Sequence, residues 1–281
     1  MYTATTIAAL RERLASWRRT GERIALVPTM GNLHAGHLQL VEAARKRADR
    51  VVVSIFVNPT QFGEGEDYAS YPRTLAEDTR KLCARSTDLL FSPQPAEVYP
   101  EGSKTVVEVR ELNRILCGRF RPVHFNGVTT VVSKLLNMVQ PDVALFGEKD
   151  FQQLLVIRRM VADLDIPVEI VGVPTVREAD GLAMSSRNDY LSVAERLIAP
   201  SLYRSLRAAK QLIEAGGRDF RQIEQQQLEA LRQVGFNPDY FSIRRRSDLL
   251  LAEKQDVDLV ILAAAWLGKA RLIDNVQLKA G

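Results

Sequence analysis

The segment from Ile24 to Ala48 sets the strongest limit on how this chain can fold. An apolar run, Ile24-Ala25-Leu26-Val27, is followed by Pro28-Thr29-Met30-Gly31-Asn32-Leu33-His34-Ala35-Gly36-His37. Leu38–Ala48 comes next, with Leu40, Val41, Ala44 and Ala48 at helical spacing. The pattern is strand, glycine loop, helix start, with two histidines where the helix begins. Such a unit is a phosphate-handling arrangement. Backbone N–H groups at a helix start, and the dipole behind them, attract anions. His34 and His37 are three apart, so they share one face of the first turn. Imidazoles there can donate to phosphate oxygens and stabilise charge at a reacting phosphorus. A plain helix cap would use the same residues. The segment has neither a Walker loop nor a dinucleotide fingerprint.

The alternation continues. Val51–Val57 is β-branched and nearly all apolar, suited to a central parallel strand. Helices are predicted over Pro72–Arg85, with Leu75, Thr79 and Leu82 on one face, and over Phe125–Val139 and Glu148–Leu164. Asp88–Phe91, Lys104–Val109, Val143–Phe146 and Val168–Val173 read as strands. The expectation is an α/β protein with a doubly wound, Rossmann-like parallel sheet, in which ligands sit at the carboxyl ends of the strands.

After about Pro174 the pattern changes. Helices Ala199–Ala215 and Phe220–Gln233 precede strand-like runs at Tyr240–Arg244, Val257–Trp266 and Ala270–Ile273, the last two as a hairpin. The expected division is 1–175, the Rossmann-like domain, and 176–281, a smaller α+β domain closing over the active site.

Length and composition fit this picture. A chain of 281 residues, 46% hydrophobic and 26% charged, has material for one large or two modest cores. The net charge of +4 is spread rather than clustered, apart from Arg244-Arg245-Arg246, which reads as solvated surface. No nucleic-acid partner is expected. Cys83 and Cys117 lack metal-ligand spacing and read as reduced, partly buried thiols. Met1–Trp17 reads as an amphipathic helix without the apolar centre of a signal peptide. No apolar run is long enough for a bilayer. No membrane association and a cytoplasmic location are therefore expected.

Four further clusters carry chemistry. Phe56-Val57-Asn58-Pro59-Thr60-Gln61-Phe62 offers neutral donors and acceptors for a hydroxy acid. Arg121-Pro122-Val123-His124-Phe125-Asn126-Gly127-Val128 holds the third and last histidine. Phe146-Gly147-Glu148-Lys149-Asp150-Phe151-Gln152-Gln153 supplies Lys149 as a compact cation, and Asp150 for a ribose hydroxyl or a metal-bound water. Met184-Ser185-Ser186-Arg187 carries two hydroxyls and a guanidinium in a polar loop able to close on a triphosphate. Each cluster alone also reads as an ordinary turn or solvated helix start. The weight lies in their joint presence.

Met30–His37 has the His-x-Gly-His form of the nucleotidyltransferase superfamily, shared with cytidylyltransferases and class I aminoacyl-tRNA synthetases. With Tyr71-Pro72-Arg73-Thr74, the four clusters above, Asn188 and Ala264-Ala265-Trp266-Leu267-Gly268, the chain resembles the pantothenate synthetases, the pantoate–β-alanine ligases, over nearly its whole length. The resemblance implies that ATP, pantoate and β-alanine give pantothenate, a coenzyme A precursor, with AMP, pyrophosphate and a pantoyl-adenylate intermediate. It makes 1–175 the nucleotide- and pantoate-binding domain. Mg²⁺ accompanies ATP, and no residue is assigned as its ligand. ATP binding is implied for Met30, Gly31, Asn32, Leu33, His34, Ala35, Gly36, His37, Gly147, Glu148, Lys149, Asp150, Val176, Met184, Ser185, Ser186 and Arg187. Pantoate falls to Gln61 and Gln153, and β-alanine also to Gln61. His34, His37, Lys149, Ser185 and Arg187 are the expected catalytic residues, and a homodimer is expected. The rival readings are another nucleotidyltransferase and a non-enzymatic nucleotide-sensing module. Nucleotide preference separates the first, and turnover the second.

Overall fold

The computed structural model describes residues 1–280. Two compact units emerge, one formed by Met1–Glu148 with Gln153–Pro174, the other by Lys149–Gln152 with the chain from Thr175 onward.

The first unit is built on a six-stranded parallel sheet. Its strands are β1 (Tyr2–Ala4), β2 (Ile24–Thr29), β3 (Arg50–Ile55), β4 (Leu89–Phe91), β5 (Val143–Gly147) and β6 (Glu169–Val173), in the order β1-β4-β3-β2-β5-β6. The helices are α1 (Ile7–Arg19), α2 (Ala35–Arg45), α3 (Leu75–Ala84), the single turns α4 (Pro95–Val98) and α5 (Cys117–Phe120), α6 (His124–Val139) and α7 (Phe151–Asp163). Alternate residues of the central strands, Ala25, Val27, Val51, Val53, Val143 and Leu145, meet Leu40, Val41 and Ala44 of α2 in one buried cluster. Helix α6 packs on β2, and α1 packs on α6. Burial on both faces explains why these strands read as unbroken apolar runs. Strand order reverses between β2 and β5, the position where open α/β sheets take their ligands.

The second unit is α+β. Its helices α8 (Val193–Ile198), α9 (Ser201–Glu214) and α10 (Phe220–Gln233) accompany an antiparallel sheet of β7 (Asn237–Arg245), β8 (Asp258–Leu267) and β9 (Ala270–Lys279). Leu206 and Ile213 of α9 and Ile223 and Leu231 of α10 share a core with Ile243, Ile261 and Leu272 of the strands. The expected fold class, a parallel Rossmann-like sheet plus a smaller α+β part, is what the structure contains.

Several local expectations are corrected. Lys104–Val109 is not a strand. Val107 instead donates its N–H to Thr130 Oγ1 at 3.0 Å and accepts from Thr129 Oγ1 at 2.6 Å, so side chains of α6 take the place of a strand partner. The N-terminus is not helical from its start, because Tyr2–Ala4 pairs with Leu89–Phe91 as an edge strand. Glu148–Asp150 is a 3₁₀ turn, and the helix begins at Phe151. Leu75 is 45% exposed, and the inner face of α3 is Asp78 with Leu82. Cys83 is exposed and Cys117 buried, both as free thiols.

Candidate functional site

In the first unit the loop after β2 is held open by its neighbours rather than by itself. Gly31 has φ +84°, a region that favours glycine, and a Cβ there would lie 3.1 Å from Ile55 Cγ2 and 3.2 Å from Asp78 Oδ2. Asn32 follows at φ 49°. Asp78, fully buried on α3, accepts from Asn32 N at 2.9 Å, Leu33 N at 2.8 Å and Thr74 Oγ1 at 3.1 Å. Lys81, one turn on, donates to Leu33 O at 2.7 Å. One carboxylate thus satisfies two loop N–H groups that have no helix or strand to pair with.

The two histidines form the cap of α2. His34 Nδ1 accepts from Gly36 N at 3.1 Å, and His37 Nδ1 accepts from His34 N at 3.3 Å. This is a reciprocal capping box in which imidazoles take the place usually given to Ser or Thr and Glu. The rings lie 4.1 Å apart, centre to centre. Because each Nδ1 accepts, each neutral ring carries its proton on Nε2. The cap therefore selects the tautomer that presents an Nε2–H donor. Capping and anion contact are compatible uses of the same side chains.

At the end of β3, Asn58 and Gln61 are both buried. Asn58 Nδ2 donates to Gln61 Oε1 and to Gly127 O, each at 3.1 Å. Asn58 Oδ1 accepts from Thr60 Oγ1 at 2.9 Å and Tyr99 OH at 3.0 Å. Burial pushes the Tyr99 phenol up, against the pull of its bond to Thr60. Gln61 Nε2 reaches Met30 Sδ at 2.9 Å, which brings the expected pantoate residue onto the expected ATP loop. The Gln61 carbonyl is taken by His124 Nδ1 at 3.1 Å and by Arg121 Nη2 at 3.4 Å. Arg121 also grips Glu66 with two bonds of 2.7 Å. Burial alone would raise the Glu66 carboxyl, but those bonds outweigh it and hold it below the usual range.

Gly127 explains how α6 comes so close to this turn. A Cβ at that position would strike the Thr60 carbonyl and lie 2.5 Å from Gln61 N. The cluster Arg121–Val128 thus serves as the backing of Gln61. Gly147 ends β5 beside Val173, Glu148 opens the next turn, and Gln153 lies half-buried on α7.

In the second unit, Lys149, Ser185, Asn188 and Asp274 line one small cavity, so two expected catalytic residues distant in sequence are brought together. Asp150 lies half-buried beside Lys149. Val176–Met184 folds back on itself: Met184 N donates to Val176 O, Glu178 N donates to Leu182 O, and Arg177 pairs with Ala183. Ser185 then caps the turn Ser186–Tyr190, its Oγ accepting from Arg187 N at 3.2 Å. Arg177 and Asp274 form a buried pair nearby, in which burial pushes the Asp274 carboxyl up against the pull of Arg177. Of the three arginines at 244–246, Arg245 pairs with Asp248 and Arg246 with Asp258.

Sequence reasoning missed Asp78, Arg177 and Asp274. Asp78 lies within the predicted helix 72–85, Asp274 one residue past the predicted strand 270–273, and Arg177 next to Val176. A signal existed only for Asp78, whose i+4 partner Leu82 is the buried residue of the same helix face.

The family model "Pantoate-beta-alanine ligase" matches residues 2–277. A pantothenate synthetase of Methylococcus capsulatus is 58% identical over 280 residues, covering 99% of this chain and 98% of that protein. One from Shewanella loihica is 56% identical over 281 residues, covering 99% of each. Among solved structures, a pantoate-beta-alanine ligase (pantothenate synthetase) of Thermus thermophilus superposes with a TM-score of 0.94 at 50% identity, covering 99% of both chains. The Francisella tularensis pantoate-beta-alanine ligase, complexed with beta-gamma ATP and beta-alanine, gives 0.84 at 35% identity, covering 99% of this chain and 97% of that one.

Proposed function

The chain belongs to the pantoate–β-alanine ligase family, and from that premise we propose how its residues divide the work. The reaction is the ATP-dependent condensation of pantoate with β-alanine to pantothenate. In the first step the pantoate carboxylate attacks the α-phosphorus, an O–P bond forms, and the bond to pyrophosphate breaks. In the second, the β-alanine amine, having shed its ammonium proton, attacks the acyl carbon, the acyl C–O bond to AMP breaks, and the nitrogen gives up a second proton to solvent or to the departing AMP.

The first step needs no base, since the attacking carboxylate has no proton to lose. Its obstacle is the meeting of two anions. Positive charge and N–H donors aimed at the phosphates therefore carry the catalysis. We assign that task to the Nε2–H groups of His34 and His37, to Lys149, and to Ser185 and Arg187. Met30–His37, Gly147–Asp150, Val176 and Met184–Arg187 form the nucleotide contacts. Gln61 and Gln153 hold pantoate, and Gln61 also faces β-alanine. The observation that carries this reading is the Gln61–Met30 contact, which puts a carboxamide for the hydroxy acid directly against the histidine loop.

Magnesium fits as the companion of the nucleotide. Among the described residues no group of three or more His, Cys, Asp or Glu side chains is disposed to cage a metal ion. Mg²⁺ characteristically keeps its waters and rides on substrate phosphates with few protein ligands. Asp150 would hold it through a water, and the ion would neutralise phosphate charge.

No helix among the described residues is long and apolar enough to cross a membrane. We place the enzyme in the cytoplasm, where ATP is available. A homodimer is the assembly we expect, and exposed Val106, Phe120 and Val123 in the first unit are apolar surface on which to look for the second copy. The two units are taken as the working domains, the first for nucleotide and pantoate, the second supplying Lys149 and Ser185–Arg187.

Paired substitutions test the assignment. Lys149→Ala should raise KM for ATP and slow adenylate formation by about tenfold or more, in line with loss of one preorganised charge. Gln61→Ala should raise KM for pantoate and leave KM for ATP nearly unchanged. A Lys149→Ala enzyme with the parent's ATP dependence would remove Lys149 from the phosphates.

A further inference from the structure

A buried polar chain in the second unit joins β9 to Lys149, which is assigned to ATP, and to the fold-back between Val176 and Met184. Arg177 donates to Asp274 Oδ2 at 2.7 Å through Nη1 and to Asp274 Oδ1 at 2.9 Å through Nη2. The same guanidinium donates to Gly181 O at 3.1 Å and Asn275 O at 3.4 Å, and lies 3.6 Å from the centre of the Tyr203 ring. Asn275 N donates to Asp274 Oδ1 at 2.7 Å. Asn275 Nδ2 in turn donates to Lys149 O at 3.0 Å. Asp274 is 4% exposed and Asn275 5%.

Stability alone does not account for this arrangement. A buried ion pair loses so much hydration that apolar residues of similar volume often serve as well. What apolar residues lack is direction. The guanidinium is a rigid planar fork, and here its bonds tie together two separate stretches of chain. One stretch is the turn at Gly181, inside the fold-back Val176–Met184 that leads into Ser185. Another is β9. Through Asn275, β9 holds the main chain of Lys149. The long Lys149 side chain can reach a phosphate reproducibly only if its Cα is fixed. A hydrogen bond to its own carbonyl fixes it.

We infer that Asn275, Asp274 and Arg177 are positioning residues for adenylation, holding the Lys149 backbone and the segment before Ser185 in register. The inference rests on the assignment of Lys149 and Ser185 to the phosphates. Their work is done on backbone, so none of the three need touch substrate.

Steady-state kinetics on the full-length enzyme test this. Asn275→Ala removes the donor to Lys149 O and leaves the Arg177–Asp274 pair in place. It should raise KM for ATP and lower the rate of pantoate-dependent pyrophosphate release by about tenfold to a hundredfold, the scale expected of a small misplacement. KM for β-alanine should not move. Arg177→Lys, which keeps the charge and loses the fork, should show the same signature. A purely structural role would lower the melting temperature or the folded fraction while each folded molecule kept its KM for ATP. That result in Asn275→Ala overturns the hold on Lys149, and in Arg177→Lys it overturns the hold on the segment before Ser185. If Asn275→Ala does not accumulate as folded protein, Asn275→Ser makes the same comparison. Lys149→Ala is measured alongside. If it too leaves ATP kinetics unchanged, the assignment of Lys149 has failed. If it loses ATP binding while Asn275→Ala does not, only the positioning role has failed.

Discussion

His34 and His37 each commit Nδ1 to the start of α2, and that commitment decides what Nε2 can do. A histidine that caps is held in one tautomer and one orientation before any ligand arrives. This pre-pays part of the ordering that a mobile side chain would lose on binding phosphate. The two tasks can be separated at His37. His37→Asn keeps an acceptor in reach of the His34 N–H and removes the Nε2–H. It should cost well under the roughly 1 kcal/mol typical of a lost cap, yet slow adenylation by about tenfold or more. Thermal unfolding and single-turnover rates check both halves. A variant with normal adenylation would make His37 structural only. Both histidines were legible in the sequence because their spacing after a buried strand is unusual. A helix cap was also legible there, but not its reciprocal form, since no rule of propensity anticipates imidazoles as both acceptors of a capping box. Asp78 was hidden for a related reason. A carboxylate in a charged helical stretch looks solvated until the loop that needs it folds on top.

Among the elements of the first unit, α6 and the turn Pro59–Gln61 approach too closely to leave room for a side chain between them. Gly127 makes this approach possible, and Asn58 and His124 bond across it. Gly127→Ala should force the helix from the turn. An overpacking cost of about 1–3 kcal/mol is expected, together with a raised KM for pantoate at nearly unchanged KM for ATP, because Gln61 moves while Lys149 does not. Chemical denaturation and substrate titration measure the two effects. An unchanged KM for pantoate would show that Gln61 is not positioned by α6. Sequence periodicity found α6 nearly to its ends, but it carries no sign that Gly127 is a contact. The same helix explains the misread segment at Lys104–Val109. Its alternating apolar residues suit a strand, but Thr129 and Thr130 offer side-chain partners to Val107 instead. Periodicity reports burial and cannot tell which group supplies the hydrogen bond.

For the molecule as a whole, the legible features were those set by long-range burial. Strands covered on both faces stand out as unbroken apolar runs, so the parallel sheet and the presence of a smaller α+β part could be read directly. Features set by a few polar contacts were less legible. The edge strand Tyr2–Ala4 is too short to carry a pattern, and the attachment of Lys149–Gln152 to the second unit depends on bonds such as that from Asn275. The central claim at this scale is chemical. Charge stabilisation at the phosphates activates pantoate before β-alanine takes part. Exchange of radiolabelled pyrophosphate into ATP tests it most directly. The exchange should require pantoate, proceed without β-alanine and fall sharply in Lys149→Ala. Exchange that required β-alanine, or that β-alanine supported in place of pantoate, would contradict it.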